Sequence, residues 1–304
     1  MNGILVVDKP KGLSSFDVVR QVRRLCQTRR VGHAGTLDPL ATGVLPVAVG
    51  QATRLVEYLM AGEKSYQATC RLGVATDTQD SDGRILQESP WQQVDRAAFD
   101  AVLADFAGEI RQLPPMFSAL KKDGQPLYRL ARQGIEVERQ LRTVRIESLV
   151  VDAFSPPDVT FTVRCSKGTY VRTLCHDIGQ QLGCGAHMAA LRRLACGPFT
   201  LAESHGLEGL QSLAEQGLPL PLVSPAAALA DWPALAVDGA VLGRLRNGVA
   251  PVMDELDGAM PADGALVRFL ADGTLVAIGR SAPGGYGKRP GDFEILKVFP
   301  KVDD

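Results

Sequence analysis

The chain lacks any apolar stretch long enough to cross a bilayer. The run nearest its start, Gly3 to Val7, is cut off by Asp8 and Lys9, too short for a signal-peptide core or for a span of about 20 residues. The expectation is an intracellular, cytoplasmic protein with no membrane partner. Paired cysteines are missing too. The six stand at 26, 70, 165, 175, 184 and 196 without a C-x-x-C, which excludes a disulfide framework and fits reduced thiols. There is no Walker A loop, because Gly287-Lys288 has Ala282 where the first glycine is required, and no dinucleotide fingerprint. Energy-driven and redox chemistry therefore find no support. Internal repeats and low-complexity tracts are absent as well.

A metal site is equally poorly supported. Cys175, His176, Cys184 and His187 are irregularly spaced, and an adjacent Cys-His pair rarely ligates one tetrahedral zinc. Asp77, Asp80, Asp82 and Gly83 hint at a calcium loop. Placing Asp82 and Gly83 at its fifth and sixth positions puts Thr78 first and Ser89 twelfth, where carboxylates are needed. A turn is the better reading, and no metal or cofactor is expected.

What is present is ordinary globular composition: 45% hydrophobic and 22% charged residues, with a mean hydropathy of +0.02. A chain of 304 residues suggests a large domain of about 230 residues and a small one. Net charge is only -1, which by itself argues against a nucleic-acid partner. Its distribution reverses that argument. Residues 1 to 60 carry eight Lys/Arg against four Asp/Glu, and residues 160 to 200 carry five against one, so two basic segments could meet in one phosphate-binding face. Arg192 and Arg193 are expected on it.

Along the chain, Ile4 to Val7 reads as a buried strand. A helix follows from about Ser15, with the cap-like Ser14-x-x-Asp17 and a stripe of Val18, Val22, Leu25 and Cys26. A glycine-rich loop over 32–43 leads into the apolar run Val44 to Val49, a helix over 53–60 and a strand with Tyr66, Ala68, Cys70 and Leu72 on one face. Helices at 96–106 and 127–133 and strands at 144–152 and 159–165 follow. This mixed order predicts an α+β fold. The Pro- and Ala-rich segment 218–233 marks a boundary, dividing the chain into 1–230 and a small β domain over 233–304.

The most informative string is Gly32-His33-Ala34-Gly35-Thr36-Leu37-Asp38-Pro39-Leu40-Ala41-Thr42-Gly43-Val44-Leu45. Its glycines permit tight backbone and Pro39 biases Asp38 toward an extended conformation, so one carboxylate is displayed from a constrained loop. A carboxylate attacking a sugar or base carbon needs such fixed geometry. A lone Asp before Pro is by itself a common turn former; the complete string is what carries the functional reading. The pattern G-H-x-G-x-L-D-P-x-A-x-G-V-L resembles the signature of the TruB family of tRNA pseudouridine synthases. So do Asp8-Lys9-Pro10, the segment Pro114 to Lys121, Cys165 to Thr173, and Leu191-Arg192-Arg193-Leu194, in family order.

The resemblance implies an α+β pseudouridine synthase fold with a large mixed sheet and a small C-terminal PUA-like barrel. The implied reaction is conversion of uridine 55 in the T loop of tRNA to pseudouridine, without cofactor, by a monomer that needs no guide RNA. Asp38 is then the catalytic nucleophile. Tyr66 stacks on the extracted base, Arg172 pairs with Asp38, and His33, Tyr170 and Leu191 line or shape the nucleotide pocket. Tyr170 and Arg172 share a side if the backbone stays extended and the next helix begins near Thr173. His176 stands where the family has an acidic residue. Gly248-Val249, Ala277 to Arg280 and Lys297 to Phe299 resemble a PUA pattern, but nine acidic against six basic residues over 250–304 speak against a large RNA-binding role for the tail. The rivals are a non-catalytic tRNA-binding or folding protein of the same fold, and a hydrolase, which would need a second carboxylate beside Asp38.

Overall fold

Alternation within the first strand divides the core. In the computed structural model, which describes residues 1–285 and 291–300, β1 (Gly3–Lys9) is buried along almost its whole length. Leu5 and Val7 enter one apolar cluster, Ile4 and Val6 another, because successive side chains of a strand point to opposite faces. Two-sided burial is why this strand reads as an unbroken apolar run. The Gly287-Lys288 dipeptide lies outside the described residues.

Ser14 opens α1 (Ser15–Leu25) with a capping box. Its hydroxyl accepts from the Asp17 N–H at 3.1 Å, and the Asp17 carboxylate accepts from the Ser14 N–H at 2.9 Å, satisfying two donors that the helix itself cannot. Val18, Val19 and Val22 are buried, whereas Arg20 and Arg24 stay exposed. β2 (Val31–His33) follows, so the glycine-rich segment begins as strand and the loop proper spans 34–41. After β3 (Thr42–Val49), the expected helix over 53–60 is split: Gly50–Leu55 forms a 3-10 turn and only Val56–Leu59 is α-helical (α2). The Thr53 hydroxyl donates to the Gly50 carbonyl at 2.8 Å, the local competition by which Thr favours tight turns.

Among the elements that follow are β4 (Lys64–Leu72), α3 (Arg96–Asp105), β5 (Gly108–Gln112), α4 (Leu127–Arg132), β6 (Arg142–Ser155), β7 (Asp158–Cys165), α5 (Val171–Gln181) and β8 (Ala186–Cys196). The central path of an eleven-stranded sheet runs β1-β3-β8-β4-β7-β6-β5. Its junctions are antiparallel except β3 with β8, which is parallel and sets Arg193 opposite Gly43. Gly43 has φ +101°, and a Cβ there would lie 2.2 Å from the Arg193 carbonyl oxygen. Only glycine permits this approach.

The tail forms a four-stranded sheet from β9 (Ala234–Ala236), β10 (Leu266–Ala271), β11 (Thr274–Ser281) and β12 (Phe293–Val298). Leu275 and Ile278 share a buried cluster with Ile4 and Val44. Arg268 secures the preceding segment by donating to the carbonyls of Ala226, Ala230 and Trp232 at 2.6, 3.1 and 3.0 Å. The whole is a mixed α/β structure with a large mixed sheet and a small C-terminal sheet. No described helix is long and apolar enough to cross a membrane.

Candidate active site

The loop that carries Asp38 is pinned residue by residue. The Ser15 hydroxyl, at the start of α1, donates to the Leu37 carbonyl at 3.0 Å and accepts from the Leu37 N–H at 2.8 Å. The Ala41 N–H donates to the Asp38 carbonyl at 3.0 Å, and the Gly12 N–H to that of Pro39 at 2.8 Å. Lys9 is fully buried and donates to the carbonyls of Leu13 and Pro10 at 2.7 and 2.9 Å. Burial lowers its pKa to about 8, against the opposing pull of Asp38. A loop so constrained holds its carboxylate in place before any substrate arrives, which is what preorganised catalysis requires.

Three segments distant in sequence meet at Arg172, the second residue of α5. Its Nε donates to Asp38 Oδ2 at 3.0 Å. Nη1 reaches the Thr78 carbonyl at 3.1 Å and Asp80 Oδ2 at 3.3 Å, and Nη2 reaches the Phe117 carbonyl at 2.7 Å. Arg172 and Asp80 are nearly inaccessible, but 37% of the Asp38 side chain is open. Burial raises the Asp38 pKa; Arg172 and Lys9 oppose the rise, whereas Asp80 and Asp82 add to it.

Above this pair lies a cleft of about 890 Å³, lined among others by Asp38, Tyr66, Tyr170, Arg172, Leu191 and Arg193. This volume is in the range of small-molecule sites. Tyr66 is buried on β4, and burial pushes its hydroxyl up to about 12, with Arg193 acting the other way. Tyr170 immediately precedes α5 with an extended backbone (φ -102°, ψ 106°). Buried Gln112 holds it there, accepting from the Tyr170 N–H at 3.0 Å and donating to its carbonyl at 3.2 Å. Burial raises the pKa of the Tyr170 hydroxyl. Lys167 and Arg142 are also in the lining and supply positive charge.

His33 stands apart from this lining, half-buried at the end of β2. Its Nδ1 is enclosed without a hydrogen-bond partner among the described residues. Burial, with Arg193 second, lowers its pKa, so the ring is neutral at pH 7.

Several expectations need correction. α5 begins at Val171, not near Thr173; the break in direction falls at Tyr170, so extended Tyr170 and helical Arg172 both reach the cleft. Arg193 is not a surface phosphate contact: it is 1% exposed and donates to the carbonyls of Val44, Gly35 and Thr36 at 2.6, 3.1 and 3.5 Å. Its neighbour Arg192 is partly exposed but pairs with Asp8 at 2.8 Å. A second carboxylate, Asp80, stands behind Arg172, nearly inaccessible and outside the cleft lining. Asp80 comes from the acidic turn, and its weak signal was an Asp in a string whose other members are exposed or half-exposed. Of the Cys/His set, Cys175 packs with Cys70 in the core, and His187 Nδ1 lies 2.8 Å from the Val74 carbonyl.

The model of the TruB family pseudouridylate synthase N-terminal domain matches residues 23–171, and that of the tRNA pseudouridylate synthase B C-terminal domain matches 172–223. The chain is 49% identical to the tRNA pseudouridine synthase B of Syntrophotalea carbinolica, covering 98% of both chains. It is 48% identical to that of Geobacter sulfurreducens, covering 98% of this chain and 100% of the relative. Among solved structures, an H/ACA RNP bound to a substrate RNA containing 2'-deoxyuridine has a chain similar over 99% of this one and 86% of its own length, at 26% identity and a TM-score of 0.75. With its Asp38 loop pinned over the cleft and relatives this similar along nearly its full length, the chain belongs to the TruB family of pseudouridylate synthases.

Proposed function

We propose that this protein isomerises uridine 55 in the T loop of tRNA to pseudouridine, acting in the cytoplasm as a monomer without guide RNA. The observation that carries the reading is one ionisable carboxylate, Asp38, fixed by Arg172 at 3.0 Å over a cleft walled by Tyr66 and Leu191. A stacked uridine is unreachable until flipped, and an aromatic wall replaces the lost stacking, worth about 1 to 3 kcal/mol per base. The C1'-N1 bond breaks, the base turns, and C1'-C5 forms while the C5 proton leaves and N1 gains one. No outside reagent is consumed. Attack by Asp38 at ribose C1' or at base C6 makes the same demand, an ionised carboxylate held in one orientation.

In this reading Arg172 orients Asp38, Tyr66 stacks on the base, and Tyr170 and Leu191 shape the slot. His33, neutral and outside the cleft lining, serves as a wedge in the RNA loop rather than as an acid or base. Residues 1–230 form the catalytic unit and 233–304 a PUA-like unit. Two charged groups of the tail strings are engaged within the protein, Lys297 with Glu57 and Arg280 with Glu294, which supports leaving the main RNA contacts to the catalytic unit.

The protein alone, incubated with unmodified tRNA, should place pseudouridine at position 55 and release tritium from uridine labelled at C5. Tight binding of the tRNA without tritium release would favour a non-catalytic tRNA-folding protein; free uracil would indicate a hydrolase.

A further inference from the structure

Resting on that reading, we propose that Arg193 is a positioning residue, whose buried guanidinium holds both ends of the Asp38 loop in register and is not a phosphate contact. Its donors divide between the two ends. Nη2 and Nη1 take the carbonyls of Gly35 and Thr36, which precede Asp38, at 3.1 and 3.5 Å, and Nε takes that of Val44, which follows it, at 2.6 Å. The main chain of the same residue closes on Gly43 at the single parallel junction of the central path. One residue thus fastens the end of the loop by backbone and its two flanks by side chain.

Packing alone does not account for the guanidinium. A buried cation carries a large desolvation cost that an apolar side chain of similar volume would avoid. Among the described residues no carboxylate pairs with Arg193, and its charge is met by carbonyl dipoles. Its field reaches Tyr66, Lys9, His33 and Lys64, opposing the positive form of the last three and favouring the ionised form of the first. Lysine would keep the charge and three donors but on a single nitrogen, and so could not span the Gly35 and Thr36 carbonyls on one side of the loop and that of Val44 on the other as the planar fork does.

The test compares wild type, Arg193→Lys and Arg193→Met for tRNA affinity, its salt dependence, kcat by tritium release, and amide hydrogen exchange over 34–41. We expect both variants to bind within about threefold of wild type with an unchanged salt slope. kcat should fall at least about tenfold in Arg193→Lys and further in Arg193→Met, with faster exchange confined to the loop. A kcat within about threefold of wild type in both variants would overturn the proposal. So would a flattened salt slope, which would make Arg193 a phosphate contact, or global unfolding of Arg193→Lys, which would make it a support of the whole sheet. If wild type itself releases no tritium, the functional reading fails, and the exchange measurement still decides whether Arg193 holds the loop.

Discussion

Arg172 donates from Nε to Oδ2 of Asp38 at 3.0 Å, while its two terminal nitrogens are turned away toward Thr78, Asp80 and Phe117. The carboxylate is therefore held by a cation that is itself held, and Asp80 and Asp38 compete for the same positive charge. The opposite effects of Arg172 and Asp80 on Asp38 yield a paired pH prediction. In the proposed mechanism Asp38 must be ionised to react, so activity should fall as pH drops through its pKa, which burial has raised. Arg172→Met removes a lowering influence and should move the acid limb of kcat/KM to higher pH. Asp80→Asn removes a raising influence and should move it to lower pH. Rates of tritium release measured across the acid range check both, and limbs that move together in one direction would contradict the arrangement.

Asp38→Asn should separate binding from chemistry. The amide keeps the volume but cannot act as a nucleophile or balance Arg172. Turnover should fall more than about a thousandfold, with tRNA affinity within about 1 kcal/mol of wild type. Filter binding and tritium release on one preparation measure both. Parallel loss of the two would make the ion pair a support of the cleft itself.

At Tyr66 the ring and the hydroxyl can be told apart. Tyr66→Ala should cripple turnover by removing the stacking face. Tyr66→Phe keeps the face and loses a hydroxyl whose pKa burial has pushed up to about 12, so any loss in that variant measures the hydroxyl's part in moving the C5 proton. Wild-type rates in Tyr66→Ala would show that the base stacks elsewhere.

Asp177 offers a stability test away from the cleft lining. Burial raises its carboxyl from 3.8 to about 6. Above pH 6 the carboxyl is ionised in both the folded and unfolded states, and the fold bears the full penalty. As pH falls from 6 to below 3.8, the folded state takes up its proton first and the penalty disappears. Asp177→Asn should therefore be more stable than wild type at pH 7, by about 1 kcal/mol once solvent screening of this half-buried group is allowed for, with the difference shrinking as pH falls toward 3.8 and gone below it. Urea melts at the two pH values decide it; a pH-independent difference would assign the effect to packing.

The local rules of the chain are legible without its fold. Ser14 and Asp17 cap α1 because they stand three apart, and Tyr66, Ala68, Cys70 and Leu72 face the core because a strand alternates. Asp38 is picked out because the whole string from Gly32 to Leu45 that carries it is contiguous in sequence. What the sequence did not reveal is held by contacts across long separations. Asp80 joins the site only because Arg172 lies 92 residues away in the chain yet within 3.3 Å in space. Gln112 fixes Tyr170 across 58 residues, and Arg193 turns inward because β8 runs beside Gly43, bringing its Nε to the Val44 carbonyl across 149. Periodicity and turn chemistry act over a few residues and so are written in the sequence itself. Which charge is buried, and by whom it is met, depends on strand register and sheet order, which only the folded chain decides.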